Sequence, residues 1–173
     1  QGGISVFDWT DATHPFEIAF HDRGPMNDTA LVSAGSWSAY WYNGVVVSSE
    51  ISRGLVIFEL LPSPHLTQNE IDAAKTVKQE YLNTQGQPKI VWPASFALSR
   101  AYLDQLERGN GLAADKIATA RNALAAAEKT PATRRSTLND LANLLNGDAR
   151  TARDQAKVGM LVNSVRDLAN AQR

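Results

Sequence analysis

The chain has 173 residues, of which 43% are hydrophobic and 20% charged, with no cysteine and a formal net charge of −1. This composition is typical of a globular protein, and the lack of cysteine excludes disulfides, thiolate metal sites and thiol catalysis. Residues 1–66 carry seven acids and two bases, whereas residues 67–173 carry eleven acids and fifteen bases. That positive excess is too dilute for a nucleic-acid footprint, and no run approaches the ~18 apolar residues of a membrane span.

Two short strands are predicted first. Residues 4–9 (ISVFDW) and 16–20 (FEIAF) both alternate with the two-residue period of a strand. The Asp, Thr and Pro residues of the stretch 10–15 indicate a turn between them. Residues 26–36 follow as a polar loop that contains glycine.

Three further strands are predicted to form a meander over residues 37–60. The strands are residues 37–42 (WSAYWY), 45–50 (VVVSSE) and 55–60 (LVIFEL). Asn43-Gly44 favours a tight hairpin turn because both residues accept a positive φ, and Gly54 closes a second turn. The strand at 55–60 is almost continuously apolar, so it needs cover on both faces. A three-stranded meander cannot supply that cover alone.

An internal repeat relates the first strand to the last. Residues 3–10 (GISVFDWT) and 54–61 (GLVIFELL) place Gly, Phe and an acid at matching positions, so the two copies are offset by 51 residues. A repeat of about 50 residues is typical of blade-like arrays. It indicates a β-propeller or another stack of four-stranded sheets. One blade would then take residues 16–20, 37–42, 45–50 and 55–60, with residues 4–9 as the outermost strand of the preceding blade.

The same stretches resemble a known family. ISVFDWTDATHP (residues 4–15) resembles the xxVxDVTDPxxP step of bacterial LVIVD-repeat propellers, and GVVVSSEISRGLVIFEL (residues 44–60) resembles the closing half of such a repeat. The resemblance covers roughly residues 3–62; it keeps Pro15 but has Ala12 where proline is usual. It implies a propeller blade in an extracellular or cell-surface protein of undefined activity.

A helical domain is predicted after the stiff Pro62-Ser63-Pro64 break, which divides the chain into residues 1–62 and 63–173. Thr67 and Glu70 have the spacing of a capping box. We predict about five helices, over residues 68–82, 94–108 and 113–129, over a leucine-striped segment after Pro131, and over a last segment capped by Asp148. The fold class is therefore α+β, an antiparallel meander followed by a helical bundle.

Three charged residues are candidates for binding in the β part. Arg23 has a guanidinium that could clamp a carboxylate, although a contact with Asp22 or a neighbouring strand end is the simpler interpretation. Glu50 and Arg53 flank a hairpin turn, where they form either a cross-turn ion pair or part of a ligand site at a propeller mouth. Either reading places them at the same turn.

Trp37 and Trp41 are further candidates for binding. Alternating aromatics in a strand usually pack between blades, but an exposed indole can also stack on a sugar ring. Carbohydrate binding therefore requires that at least one of the two indole faces is open to water.

Metal and catalytic sites have little support. Asp8, Asp11 and Asp22 are a weak alternative for calcium, since their spacing matches no complete loop. The three histidines lie near separate turns, and the sequence has no phosphate loop, no nucleophile elbow and no HExxH. We therefore assign no catalytic residue and no cofactor.

Three functions remain open. The first is a non-catalytic module for interaction or anchoring at the cell exterior, the C-terminal part of a propeller protein. The others are part of an enzyme, such as a hydrolase, whose site is completed by other blades, and a carbohydrate-binding surface. Since the chain opens on Gln1-Gly2-Gly3 without methionine, we expect it to be a piece of a longer protein. The expected partner is the rest of the propeller, on another chain or lost by cleavage, or a second copy.

Overall fold

The computed structural model describes residues 2–171 and shows an α+β fold, as predicted. In this range five strands precede five helices. The strands are β1 (Ile4–Asp8), β2 (Phe16–His21), β3 (Ser36–Tyr42), β4 (Val45–Glu50) and β5 (Gly54–Phe58). The helices are α1 (Gln68–Lys75), α2 (Phe96–Arg108), α3 (Ala114–Lys129), α4 (Arg134–Asp148) and α5 (Gln155–Ala171), with 3-10 turns at Thr84–Gly86 and Pro131–Thr133. Of these helices, none has the length and apolar character needed to cross a membrane.

The strands form two separate antiparallel sheets. β1 pairs with β2, while β3, β4 and β5 pair in that order as the predicted meander. The prediction that residues 16–20 join residues 37–60 in one four-stranded sheet is therefore wrong. The short turn at residues 9–15 folds β2 back onto β1, whereas a longer loop, residues 22–35, separates β2 from β3. Consecutive strands joined by a short turn usually pair.

The hairpin turn between β3 and β4 attaches the sheet to the helices. Asn43 and Gly44 both have a positive φ, at 49° and 97°, as the turn prediction requires. The Asn43 side chain donates from Nδ2 to the Gln79 carbonyl at 2.9 Å and accepts from the Gln79 backbone N–H at 2.7 Å. A Cβ at Gly44 would lie 2.8 Å from Cγ of Lys75, so the turn approaches α1 too closely for a side chain.

Two helix ends differ from the prediction. α1 ends at Lys75 instead of residue 82. The Thr76 hydroxyl caps it by donating to the Ala73 carbonyl at 2.6 Å, and the main chain of Gln79 bonds the Asn43 side chain instead of continuing the helix.

The start of α5 also differs from the prediction. α5 is capped by Asp154, whose Oδ1 accepts from the backbone N–H of Lys157 at 2.8 Å. Asp148 ends α4 and pairs with Lys116 at 3.3 Å, so the prediction that it caps the last helix is wrong.

A buried polar network links α1 to α2, and α2 in turn to α3. The predicted capping box is present. Its Glu70 carboxylate also accepts a bidentate pair of hydrogen bonds from the Arg108 guanidinium, at 2.7 and 3.1 Å. The Thr67 hydroxyl donates to Oδ2 of Asp104 at 2.6 Å. Asp104 is buried and pairs through Oδ1 with Arg121 at 2.8 Å. α1 is thus held by paired charges as well as by apolar packing.

The main apolar core lies in the helical bundle. All buried members of its largest cluster fall between Leu103 and Ala169. α3 buries Ile117, Ala120, Leu124 and Ala127, the stripe that its period predicts. In the described strands, only two apolar residues are buried, Val46 and Val56. The bundle therefore has its own core, while the β part, defined as β1–β5, has almost none.

Candidate functional site

The structure brings Arg23, Glu50 and Arg53 together at one end of the two sheets. Oε1 of the buried Glu50 accepts from the backbone N–H of Gly35 at 2.7 Å and lies 3.5 Å from Arg53, so the predicted cross-turn ion pair is present. Arg53 also donates to the Gly24 carbonyl at 3.3 Å, which ties the β4–β5 turn to the loop after β2. This cluster pins the two sheets to each other at one end.

The third member, Arg23, contacts the end of a neighbouring strand, one of the two predicted arrangements. Its Nε lies 3.3 Å from Nε2 of His21, and its guanidinium lies 5.9 Å from the centre of the Phe58 ring. This cation–π contact places Arg23 against the last residue of β5.

The cavity at this cluster is too small for a substrate. Its volume is about 20 Å³, and a single water needs roughly 10–15 Å³. The hydrogen bond from Gly35 holds the pKa of the Glu50 carboxyl below its usual value, with the Arg53 charge adding to the effect. The carboxylate is therefore ionised near neutral pH and is not a proton donor there. The geometry favours a structural role over catalysis.

The tryptophans differ in exposure. Trp37 is 80% exposed at an irregular position of the β3–β4 ladder, whereas Trp41 is half-buried opposite Val46. The condition for carbohydrate binding, one open indole, is thus met by Trp37. Exposure of this edge strand is equally expected if a neighbouring sheet covers it in a larger assembly.

The acids of the weak calcium alternative do not form a site. The Asp11 carboxylate accepts from the Thr13 hydroxyl at 2.6 Å and from the Thr13 backbone N–H at 2.9 Å, and it lies 3.1 Å from His14. These bonds, that of the Thr13 hydroxyl above all, lower the pKa of the Asp11 carboxyl. Asp8 accepts from the Thr10 N–H at 2.7 Å. Over residues 2–171 no three acids or histidines are grouped to hold a metal, so Asp22 does not join them. Asp8 and Asp11 instead stabilise the turn between β1 and β2.

The two sheets face each other across an open groove of about 520 Å³. Ile4 and Val6 of β1 line it from one side, and Val46 and Phe58 line it from the other. The contact between the sheets is therefore open: one apolar face of β1–β2 lies across the groove from one apolar face of β3–β5, and Ile4 and Val6 are half-buried.

The internal repeat shows that this contact is incomplete. Ile4 and Val6 correspond to Leu55 and Ile57, which point away from the groove and are 70% and 59% exposed. Ile57 pairs with Val47, which pairs with Tyr40, so an apolar row crosses all three strands. We call Tyr40, Val47, Leu55 and Ile57 the outer face.

The opposite end of the β part shows the complementary half of the contact. Phe58, which lines the groove, corresponds in the repeat to Phe7, which is exposed on β1. The two kinds of face thus lie opposite each other once inside the chain, and one face of each kind is exposed, at the two ends of the β part. The 51-residue repeat was the signal for this arrangement, but the faces could be assigned only from the observed register.

Comparison of the chain with protein-family models, with curated proteins and with solved structures found no match.

Proposed function

We propose that the chain is a non-catalytic interaction module whose β part is one segment of a larger stack of β-sheets. The observation that carries the proposal is the repeat: the outer face is equivalent to the β1 face that lies across the groove from β3–β5, and within residues 2–171 its Leu55 and Ile57 stay exposed. The resemblance of residues 3–62 to LVIVD-repeat propellers supports a propeller-like stack at the cell exterior. The helical bundle serves as the stable support or anchor of that segment.

The energetics support this arrangement. Full burial of an apolar side chain such as Leu55 or Ile57 contributes about 1.5–3 kcal/mol. A face that meets a different face of its neighbour makes a heterologous contact, which repeats until a ring closes or a filament forms. The partner is therefore a further apolar β-sheet, supplied by another chain, by more of the same protein or by a second copy.

The two other functions have weaker support. An enzyme rim at Arg23, Glu50 and Arg53 requires a channel, and the cluster encloses a cavity of about 20 Å³. Carbohydrate binding depends on the exposed indole of Trp37 alone, since Trp41 is half-buried. We therefore place both below the interaction module.

Self-association tests the proposal, because the two ends of the β part are complementary. Sedimentation velocity of the full chain over a wide concentration range is expected to show reversible association. The double substitution Leu55→Lys/Ile57→Lys puts two charges on the outer face and is expected to keep the chain monomeric without unfolding it, since both side chains are exposed.

The matched control is Leu144→Lys/Met160→Lys, which makes the same change at two exposed apolar residues of the bundle. This variant is expected to associate like the unchanged chain. A chain that stays monomeric at every concentration, or two variants that sediment alike, would contradict the proposed stack.

A further inference from the structure

We propose that the edge of β5 that pairs with no strand of residues 2–171 is a strand-acceptor site, and that it takes an antiparallel strand of the β2 type. The proposal rests on the proposed function and names a second partner surface for it. The outer face would meet another sheet face to face, whereas the edge of β5 would extend its own sheet by main-chain pairing. The two surfaces use different groups, so they can be tested separately.

The repeat identifies the missing neighbour. β1 and β5 are equivalent strands; β1 pairs with the strand that follows it, and β5 pairs with the strand that precedes it. When β1 is placed on β5 with β2 on the edge that β4 leaves open, the two partial sheets join into the order β3-β4-β5-β2. In this arrangement each sheet is an incomplete copy of one four-stranded sheet, and the strand missing from the second copy is of the β2 type.

The sequence of β5 lacks the features that protect an edge strand. Natural edges are blunted by charged residues, by proline or by a bulge, because an open edge is a template for pairing with another chain. The five residues of β5, GLVIF, include no charge and no proline, and its ladder with β4 is regular. An edge of this kind is suited to be covered.

The open groove has room for the inward side chains of an added strand. Phe20 is 71% exposed on β2, where it pairs with Ser5. Its counterpart on an added strand would lie opposite Val56, since residue 56 is the repeat equivalent of residue 5. Directly paired residues share a face, so this phenyl ring would point to the side of β5 on which Phe58 lines the groove.

A synthetic peptide tests the site on the full chain. The peptide HPFEIAFHDR, residues 14–23, carries the β2 sequence. We expect saturable binding that slows hydrogen exchange of the amides of residues 54–58. Successive backbone N–H groups of a strand point to opposite edges, so methylating alternate nitrogens of the peptide blocks pairing along one of its two edges. Of the two peptides methylated in this way, one is expected to lose binding and the other to keep it. A peptide with Phe20→Ser is expected to bind at least tenfold more weakly.

Equal binding by both methylated peptides, or binding without protection of residues 54–58, would overturn the acceptor site and show that the groove takes apolar groups without strand pairing. The Leu55→Lys/Ile57→Lys variant keeps the main-chain edge, so it is expected to bind the peptide while losing self-association. Loss of peptide binding in a chain that still associates would refute the edge proposal alone. Peptide binding in a chain that never associates would refute the stack and retain the edge.

Discussion

Replacement of Arg108 with methionine is expected to destabilise the protein by about 3 kcal/mol. The substitution leaves the Glu70 carboxylate in place without its two hydrogen bonds of 2.7 and 3.1 Å. The Glu70 side chain is 8% exposed, and a buried charge that loses its partner typically costs about 3–5 kcal/mol. Because Arg108 is partly exposed, we expect the lower end of that range, measured by urea unfolding at pH 7.

The matched control is Arg100→Met. Arg100 pairs with Glu128, whose side chain is 45% exposed, and exposed pairs contribute about 1 kcal/mol or less. Equal losses in the two variants would show that burial of Glu70 does not matter. The double variant Glu70→Gln/Arg108→Met is expected to be more stable than Arg108→Met, since it removes the unpaired charge.

The same pair makes stability depend on pH. Burial works to raise the pKa of the Glu70 carboxyl, but the hydrogen bonds from Arg108 and from the Thr67 N–H outweigh it, and the pKa lies below its ordinary value of 4.5. A depressed pKa stabilises the fold above the unfolded-state pKa, and that contribution is lost as the pH falls through the folded-state pKa. The difference in stability between the wild-type chain and Arg108→Met is therefore expected to shrink below about pH 4.5. A difference that is constant from pH 7 to pH 3 would contradict this assignment.

Replacement of Leu124 with alanine is expected to destabilise the helical bundle by about 2–5 kcal/mol, the usual cost of a leucine cavity in a core. Leu124 is fully buried on α3. Because the strands share almost no core with the bundle, hydrogen exchange at a protein concentration that protects β4 is expected to accelerate across α3–α5 and to change little in β4. An equal loss of protection in β4 would show that the two parts unfold as one unit.

Much of the local structure could be predicted from the sequence. The period of residues 37–42, the Asn43-Gly44 turn and the apolar stripe of α3 each depend on neighbours within a few residues, and each is confirmed. Such features follow from strand and helix geometry alone.

The predictions that are wrong concern features that depend on contacts between residues far apart in the sequence. The end of α1 depends on Asn43, which bonds the main chain of Gln79 from 36 positions away. The pairing of β2 depends on competition between two possible neighbours, which hydrophobic period does not resolve. The cap of α5 is Asp154 instead of Asp148 because the chain makes a further turn after α4, with Thr151 and Ala152 both bonding the Asp148 carbonyl.

The candidate site was predicted in part. Glu50 and Arg53 are close in sequence, so their ion pair could be predicted, but the approach of Arg23 depends on the packing of two sheets. The sequence predicts that residues 55–60 need cover on both faces, but only the observed register shows that Leu55 and Ile57 lie on the face left open.

The most direct test of the β part as an uncapped segment is hydrogen exchange of the unmodified full chain at rising protein concentration. We predict that amides of β4 and β5 exchange rapidly in dilute solution and gain protection as the concentration rises, whereas amides of α3–α5 are strongly protected throughout. Strong protection of β4 and β5 at the lowest concentration, with no change on concentration, would show that the sheets are complete as they stand and would contradict the account.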